Sequence, residues 1–139
     1  MARRFLCGIL TLATALSMSS SLWAQTQSPS PSDPARVERR IAKLHDQLQI
    51  TPAEEQLWSN VANVMRENAR TMGQSYDQRH ANLDSLDAVK NLRSYASAAE
   101  LHARNMQRFA TTFAKLYEAM PAAQKGIADQ AIRARANRF

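Results

Sequence analysis

Asp84–Met120, DSLDAVKNLRSYASAAELHARNMQRFATTFAKLYEAM, decides the fold. It contains no proline and no glycine. Val89, Leu92, Ala96, Ala99, Ala103, Met106, Ala110, Phe113, Tyr117 and Met120 recur three and four residues apart. That alternation keeps them on one face of an α-helix over four heptads. Tyr95, His102, Phe109 and Leu116 widen the seam on one flank. Asp84 or Ser85 is the expected start, and Asp84 and Asp87 both have the character of cap residues. At 1.5 Å per residue the helix spans roughly 50 Å. No small monomeric bundle covers such a length alone, so the seam requires the preceding helix and a second subunit.

Upstream and downstream the chain is helix punctuated by proline. Asp33-Pro34 reads as a cap followed by a first-turn proline, and Val37, Ile41, Leu44 and Leu48 form one apolar face. Pro52 ends that helix near Gln49. Thr51-Pro52-Ala53-Glu54 has the form of a capping box, in which Thr51 caps the amide of Glu54 and Glu54 returns to the amide of Thr51. Leu57, Val61, Val64 and Asn68 continue a seam, flanked by Trp58, Met65 and Met72. Gly73 weakens this helix, which should end between Tyr76 and His80. A last helix starts at Pro121 and carries Ile127, Ala131 and Ile132. No segment alternates as a strand. The fold class is all-α: four helices, the second and third forming a long antiparallel hairpin.

The chain has 139 residues. Met1–Ala24 has a basic start (Arg3, Arg4), an apolar run from Phe5 to Leu16, and small residues before Ala24. This is the pattern of a secretory signal peptide, with Leu22 bulkier than the usual small residue. The run is too short for a good transmembrane helix, and no later stretch approaches that length. Residues 25–33 begin with QTQSPSPS, a polar Pro/Ser-rich linker. The helical domain is then 34–139. Valine, isoleucine, leucine, methionine and aromatic residues make up only about a quarter of 25–139, too few for a thick core. A thin helical layer or a dimer fits that count.

Composition excludes several chemistries. Cys7, the sole cysteine, lies in the leader, so no disulfide, thiolate zinc site or cysteine nucleophile remains beyond it. Gly73 and Gly126 are the only later glycines, which leaves no material for a glycine-rich phosphate loop. The acidic residues are scattered singly and no nucleophile motif is present, so no catalytic residue and no cofactor is assigned and the protein is read as a non-enzyme. The net charge is +6. Basic chains bind nucleic acid, anionic membranes or acidic clients, but export removes nucleic acid from consideration. The location implied is the periplasm.

Two short stretches sharpen this reading. Ile50-Thr51-Pro52-Ala53-Glu54 and Met120-Pro121-Ala122-Ala123-Gln124 each open a helix, about 70 residues apart. They resemble the twice-occurring Leu-Thr-x-x-Gln motif of the Spy/CpxP family of periplasmic proteins. Ile50 and Met120 replace leucine, Glu54 replaces glutamine, Pro121 replaces threonine, and Gln124 is retained. The resemblance covers roughly residues 34–135. It implies a helical hairpin that dimerises into a thin curved cradle. It also implies ATP-independent chaperone or envelope-stress activity; other members of the wider group sense zinc, nickel or cobalt.

On that resemblance the candidate client-binding residues are Arg66, Arg70, Met72, Tyr76, Arg93, Arg104 and Arg108. At 100° per residue the arginines, with Lys115, lie away from the seams. Paired helices could display them among methionine and tyrosine side chains, a surface for loosely holding unfolded or misfolded envelope proteins. The alternative is a solvated face interleaved with Glu67 and Glu100. A metal site from His45, His102 and Met106, completed by Glu54 or Glu55, is a second option. A third is a regulatory partner of a sensor kinase.

Overall fold

The structure, a computed structural model, describes residues 32–136. The predicted leader and all but the last two residues of the predicted linker lie outside them. Among the described residues the chain forms α1 (Pro34–Leu48), α2 (Glu55–Asn82), a 3-10 turn (Leu83–Ser85), α3 (Ala88–Ala119) and α4 (Ala122–Ala136), with no strand. The all-α expectation holds. No described helix is long and apolar enough to cross a membrane.

Local chemistry sets most boundaries. The Asp33 carboxylate accepts from the Ala35 amide at 3.1 Å ahead of Pro34. The first helix closes at Gln49, which takes the left-handed conformation (φ 55°) and donates to Asp46 O. The capping box forms only in part. The Thr51 amide donates to Glu54 Oε2 at 2.9 Å, but the Thr51 hydroxyl also donates to that oxygen instead of accepting. Residues 52–54 are therefore a turn, and α2 starts at Glu55. It runs through the buried Gly73 to Asn82, past the expected stop. Its neighbour α3 is capped by Asp87, not Asp84 or Ser85; the Asp87 carboxylate accepts from Lys90 N at 2.8 Å.

Helices α2 and α3 pair as the expected antiparallel hairpin, and α1 packs against the open-end half of α2 and against α4. The small core holds Val37, Ile41, Leu44 and Leu48 of α1, Trp58, Val61 and Ala62 of α2, and Leu116, Met120 and Ala128. Trp58 meets His45 edge-on, with ring centroids 5.4 Å apart.

The α3 seam is the main correction. Its covered face is Asn91, Ser94, Ala98, Leu101, Asn105, Phe109, Thr112 and Leu116. From the tip to Met106 the predicted line is turned away from α2, with Val89 57% exposed, Leu92 69% and Met106 48%. At the open end Phe113 and Tyr117 pack half-buried against the core, and Met120 is inside it. Small and polar side chains let two long helices approach closely. Asn105, 3% exposed, donates to Thr71 Oγ1 at 3.1 Å, and its carbonyl accepts from the Asn68 side chain at 2.9 Å. In α4 the buried contacts are Gln124 and Ala128, while Ile132 is exposed.

Leu116 is fully buried where the helices converge. Leu116→Ala should cost about 2–5 kcal/mol in denaturant unfolding. Lys115→Ala, one residue away and exposed, should stay within about 0.5 kcal/mol. Equal costs at the two positions would contradict this core.

Candidate functional site

The side of the hairpin that no described element covers is a groove of about 1130 Å³. Met65, Ala69, Met72 and Tyr76 line it from α2, and Met106, Phe109, Ala110, Phe113 and Tyr117 from α3. Val37 of α1 and Ala128 and Ile132 of α4 close the open end. Arg40, Glu118, Asp129 and Arg133 bring charge to that end. The floor is an aromatic ladder: Phe109 stacks on Phe113 at 5.7 Å, and Phe113 meets Tyr117 at 6.4 Å. Spacing of four along a helix produces such a ladder. The Tyr117 hydroxyl donates to Asp129 at 3.2 Å.

Toward the hairpin tip a shallower hollow of about 310 Å³ continues the surface. Met72, Tyr76 and His102 border both. Here Arg79 lies over the Tyr95 ring, 3.3 Å from its centroid. Its Nη1 is buried without a hydrogen-bond partner. The sequence reading passed over Arg79; its place opposite Tyr95 depends on the hairpin register.

The proposed client-binding residues do not all share this surface. Met72 and Tyr76 do. Arg66, Arg70, Arg93, Arg104 and Arg108 do not line the groove. Arg66 forks onto Glu38 of α1 at 2.7 and 2.9 Å, with Nη1 donating to Asn63. Arg70 forks onto Glu67 at 2.9 and 2.6 Å and reaches Gln74. Arg104 stands 3.7 Å from Glu100. Bonding to their arginines holds the Glu38 and Glu67 carboxyls below the ordinary carboxylate value, and Arg108 adds to the effect on Glu67. Among the described residues Arg93 and Arg108 have no carboxylate at ion-pair distance. These partly neutralised cations lie off the groove: Arg66 against α1, Arg70 beside Glu67 on α2, and Arg93, Arg104 and Arg108 along α3.

The metal option does not assemble. His45 donates to or accepts from Glu55 at 2.8 Å and packs on Trp58, beside the start of α2. His102 and Met106 line the groove, and His45 does not. Among the described residues no three histidine, cysteine or acidic side chains are grouped as a metal site.

The two motif copies do meet. Gln124 Nε2 donates to Leu48 O at 2.9 Å, Gln49 O at 3.2 Å and Glu54 Oε2 at 3.0 Å. One amide thus satisfies carbonyls left unpaired at the end of α1 and joins the start of α4 to the turn before α2. Glu54 is 5% exposed. Burial pushes its carboxyl up, but the bonds from the Thr51 amide, the Gln124 amide and the Thr51 hydroxyl together hold it below the ordinary value. Ile50 packs against the core from outside, and Met120 is inside it. Pro121 is exposed, and its carbonyl accepts from Lys125 N.

A long helical hairpin, pinned at its open end by two related turns and carrying an apolar groove that no described element covers, defines an all-α hairpin protein. The chain belongs to the LTXXQ motif family, whose model matches residues 36–131. This family includes the Spy/CpxP-type proteins and is typically periplasmic. No curated protein and no solved structure matches the chain significantly.

A carboxyl with a depressed folded pKa contributes stability above its unfolded pKa, and that contribution is lost as pH falls through the folded value. Stability should therefore drop on acidification below the ordinary glutamate range. In Glu54→Gln, denaturation midpoints at acid and neutral pH should differ less than in the parent. Gln124→Ala should cost about 1–3 kcal/mol at neutral pH, since buried acceptors lose their donor.

Proposed function

We propose that this protein is an ATP-independent periplasmic chaperone of the Spy/CpxP type, acting as a homodimer. It holds unfolded or misfolded envelope proteins loosely in the groove between α2 and α3. The observation that carries the reading is the groove itself: three methionines and an aromatic ladder on one continuous concave surface that no described element covers. Monomeric soluble proteins rarely expose apolar patches on this scale without a binding role. Methionine reshapes to irregular partners at little cost, which suits many clients of unrelated sequence.

The cationic face has a supporting part. Arg93, Arg104, Arg108 and Lys115 lie on the side of α3 away from the groove, where they attract acidic chains and keep a thin, apolar-faced protein soluble. Dimerisation would use the outer stripe of α3. Val89, Leu92, Ala96, Ala99 and Ala103 are exposed at heptad spacing, the seam of a two-stranded helical contact.

The chain from Gln25 onward should suppress aggregation of a chemically unfolded client at near-stoichiometric ratio without ATP. Tyr76→Glu/Met106→Glu should remove most of that suppression while the circular dichroism stays helical, because both side chains are about half exposed. Arg104→Glu/Arg108→Glu should weaken it less. Full suppression by the groove variant would sink the groove reading; no suppression by the parent, with tight binding to one defined protein, would favour a regulatory partner. Sedimentation should give a dimer for the parent and a monomer for Leu92→Glu.

A further inference from the structure

Gly73 sits mid-helix, where glycine costs about 1 kcal/mol relative to alanine. Its φ is not positive, so no backbone conformation requires glycine. The requirement comes from another part of the chain. A Cβ on Gly73 would lie 2.7 Å from both Cβ and Oγ of Ser32. The Ser32 side chain, at the entry to α1, therefore packs directly on the α2 backbone at Gly73, and Ser32 itself lines the groove.

The direction of the chain at that contact matters. Helix α1 runs antiparallel to α2, since Glu38 meets Arg66 and His45 meets Glu55. Followed backward from Asp33, the chain is aimed at the hairpin tip. Ahead of Ser32 lies the hollow of Met72, Tyr76, Arg79, Tyr95 and His102, which α1 does not cover. The residues that precede Ser32 are Gln25-Thr26-Gln27-Ser28-Pro29-Ser30-Pro31. Alternating prolines favour the polyproline II helix, and such segments bind in aromatic-lined grooves with little further loss of entropy. At about 3.1 Å per residue, seven residues span about 22 Å. From Gly73 to the end of α2 is about 14 Å.

We propose that residues 25–31 are an intramolecular strap. They continue past Gly73 and lie in the tip half of the groove, with Pro29 and Pro31 against Tyr76, Tyr95 and Met72. The segment carries no charge, so its contacts are individually weak, but a short tether supplies a local concentration of order mM. A weak ligand at that concentration occupies the surface and still yields to a competitor. The strap is defined by docking within one chain, and it stands whether or not the groove holds clients.

The test uses the chain from Gln25 onward, because every described helix and contact lies beyond that point. That chain has no cysteine, so Ser28→Cys places a single nitroxide. Methionine methyl NMR then reads Met65, Met72, Met106 and Met120 separately, without any client. The expected result is loss of most of the Met72 signal, partial loss at Met106 and an unchanged Met120. In the Gly73→Ala background the Met72 signal should return, because the new Cβ displaces Ser32, and the melting temperature should not fall, because alanine favours helix. Uniform attenuation of all four methyls overturns the strap. So does attenuation that appears on an isotope-labelled chain mixed with nitroxide-labelled chains, which places the segment on a second copy. Persistent Met72 attenuation in Gly73→Ala overturns the route past Gly73.

Discussion

The hydrogen bonds around Asn105 fix which side of α3 meets α2, and the remaining surface follows from that choice. Asn105 is buried and joined to both Asn68 and Thr71 of the facing helix. Rotating α3 to put its larger apolar residues against α2 would part the Asn105 side-chain amide from Thr71 and the Asn68 amide from the Asn105 backbone carbonyl, at a cost of about 1–3 kcal/mol for each group left buried and unpaired. The polar line also consists of short side chains, so the helices lie close. Closeness leaves no room for Phe113 or Met106 between them, and they are pushed to the flank. The groove is thus a consequence of a polar contact line. Hydrophobic residues were not needed to hold the hairpin along most of its length, so they remain available.

The open end is held differently. There the core is apolar, and the two motif copies close it through the contact of Gln124 with Glu54 and the end of α1. Glu54 replaces the usual glutamine without breaking the arrangement. An ionised carboxylate only accepts hydrogen bonds, and three donors converge on it. The replacement instead introduces a titratable group into a buried junction of three helices. Pro121 also fits: it stands immediately before α4, where a missing amide proton removes no helical bond.

Helix positions were legible in the sequence because they are written in local chemistry: Asp33 before Pro34, Pro52 after the first helix, Pro121 before the last. The caps of α2 and α3 moved by a few residues, since several adjacent acidic and hydroxyl side chains could serve and only packing decides among them. The orientation of α3 was less legible. Two lines of residues run along it at the same three-and-four spacing, one mostly large and apolar, the other Asn91, Ser94, Ala98, Leu101, Asn105, Phe109, Thr112 and Leu116. Apolar periodicity selects the first line, whereas close helix packing selected the second. Likewise, the pairing of Glu54 with Gln124 joins residues 70 apart, and nothing local announces such a contact. Helical angle separates the arginines from the seams, but it does not reveal that Met72 and Tyr76 line a groove which Arg66 and Arg70 do not, nor that Arg66 pairs with Glu38, which depends on how α1 docks.

On the chaperone reading proposed above, the groove releases what it holds by thermal motion alone, without nucleotide hydrolysis. Directional contacts work against this, because each buried hydrogen bond that fits one client leaves an unpaired group with the next. The groove offers few such groups: its α2 and α3 walls are mainly methionine, alanine, phenylalanine and tyrosine, with Asn68, His102 and Asn105 as the polar exceptions, and acidic and arginine side chains enter at the end where α1 and α4 pack. Apolar association is non-directional and scales with the area covered, so affinity adjusts to the amount of exposed nonpolar surface a chain presents. A client that folds withdraws that surface and loses its hold. Off the groove, Arg66, Arg70 and Arg104 are already neutralised by Glu38, Glu67 and Glu100. Exposed pairs of this kind are worth at most about 1 kcal/mol each, and they can exchange partners with an arriving acidic segment. Groove and cations alike therefore favour contact that is frequent, shallow and reversible.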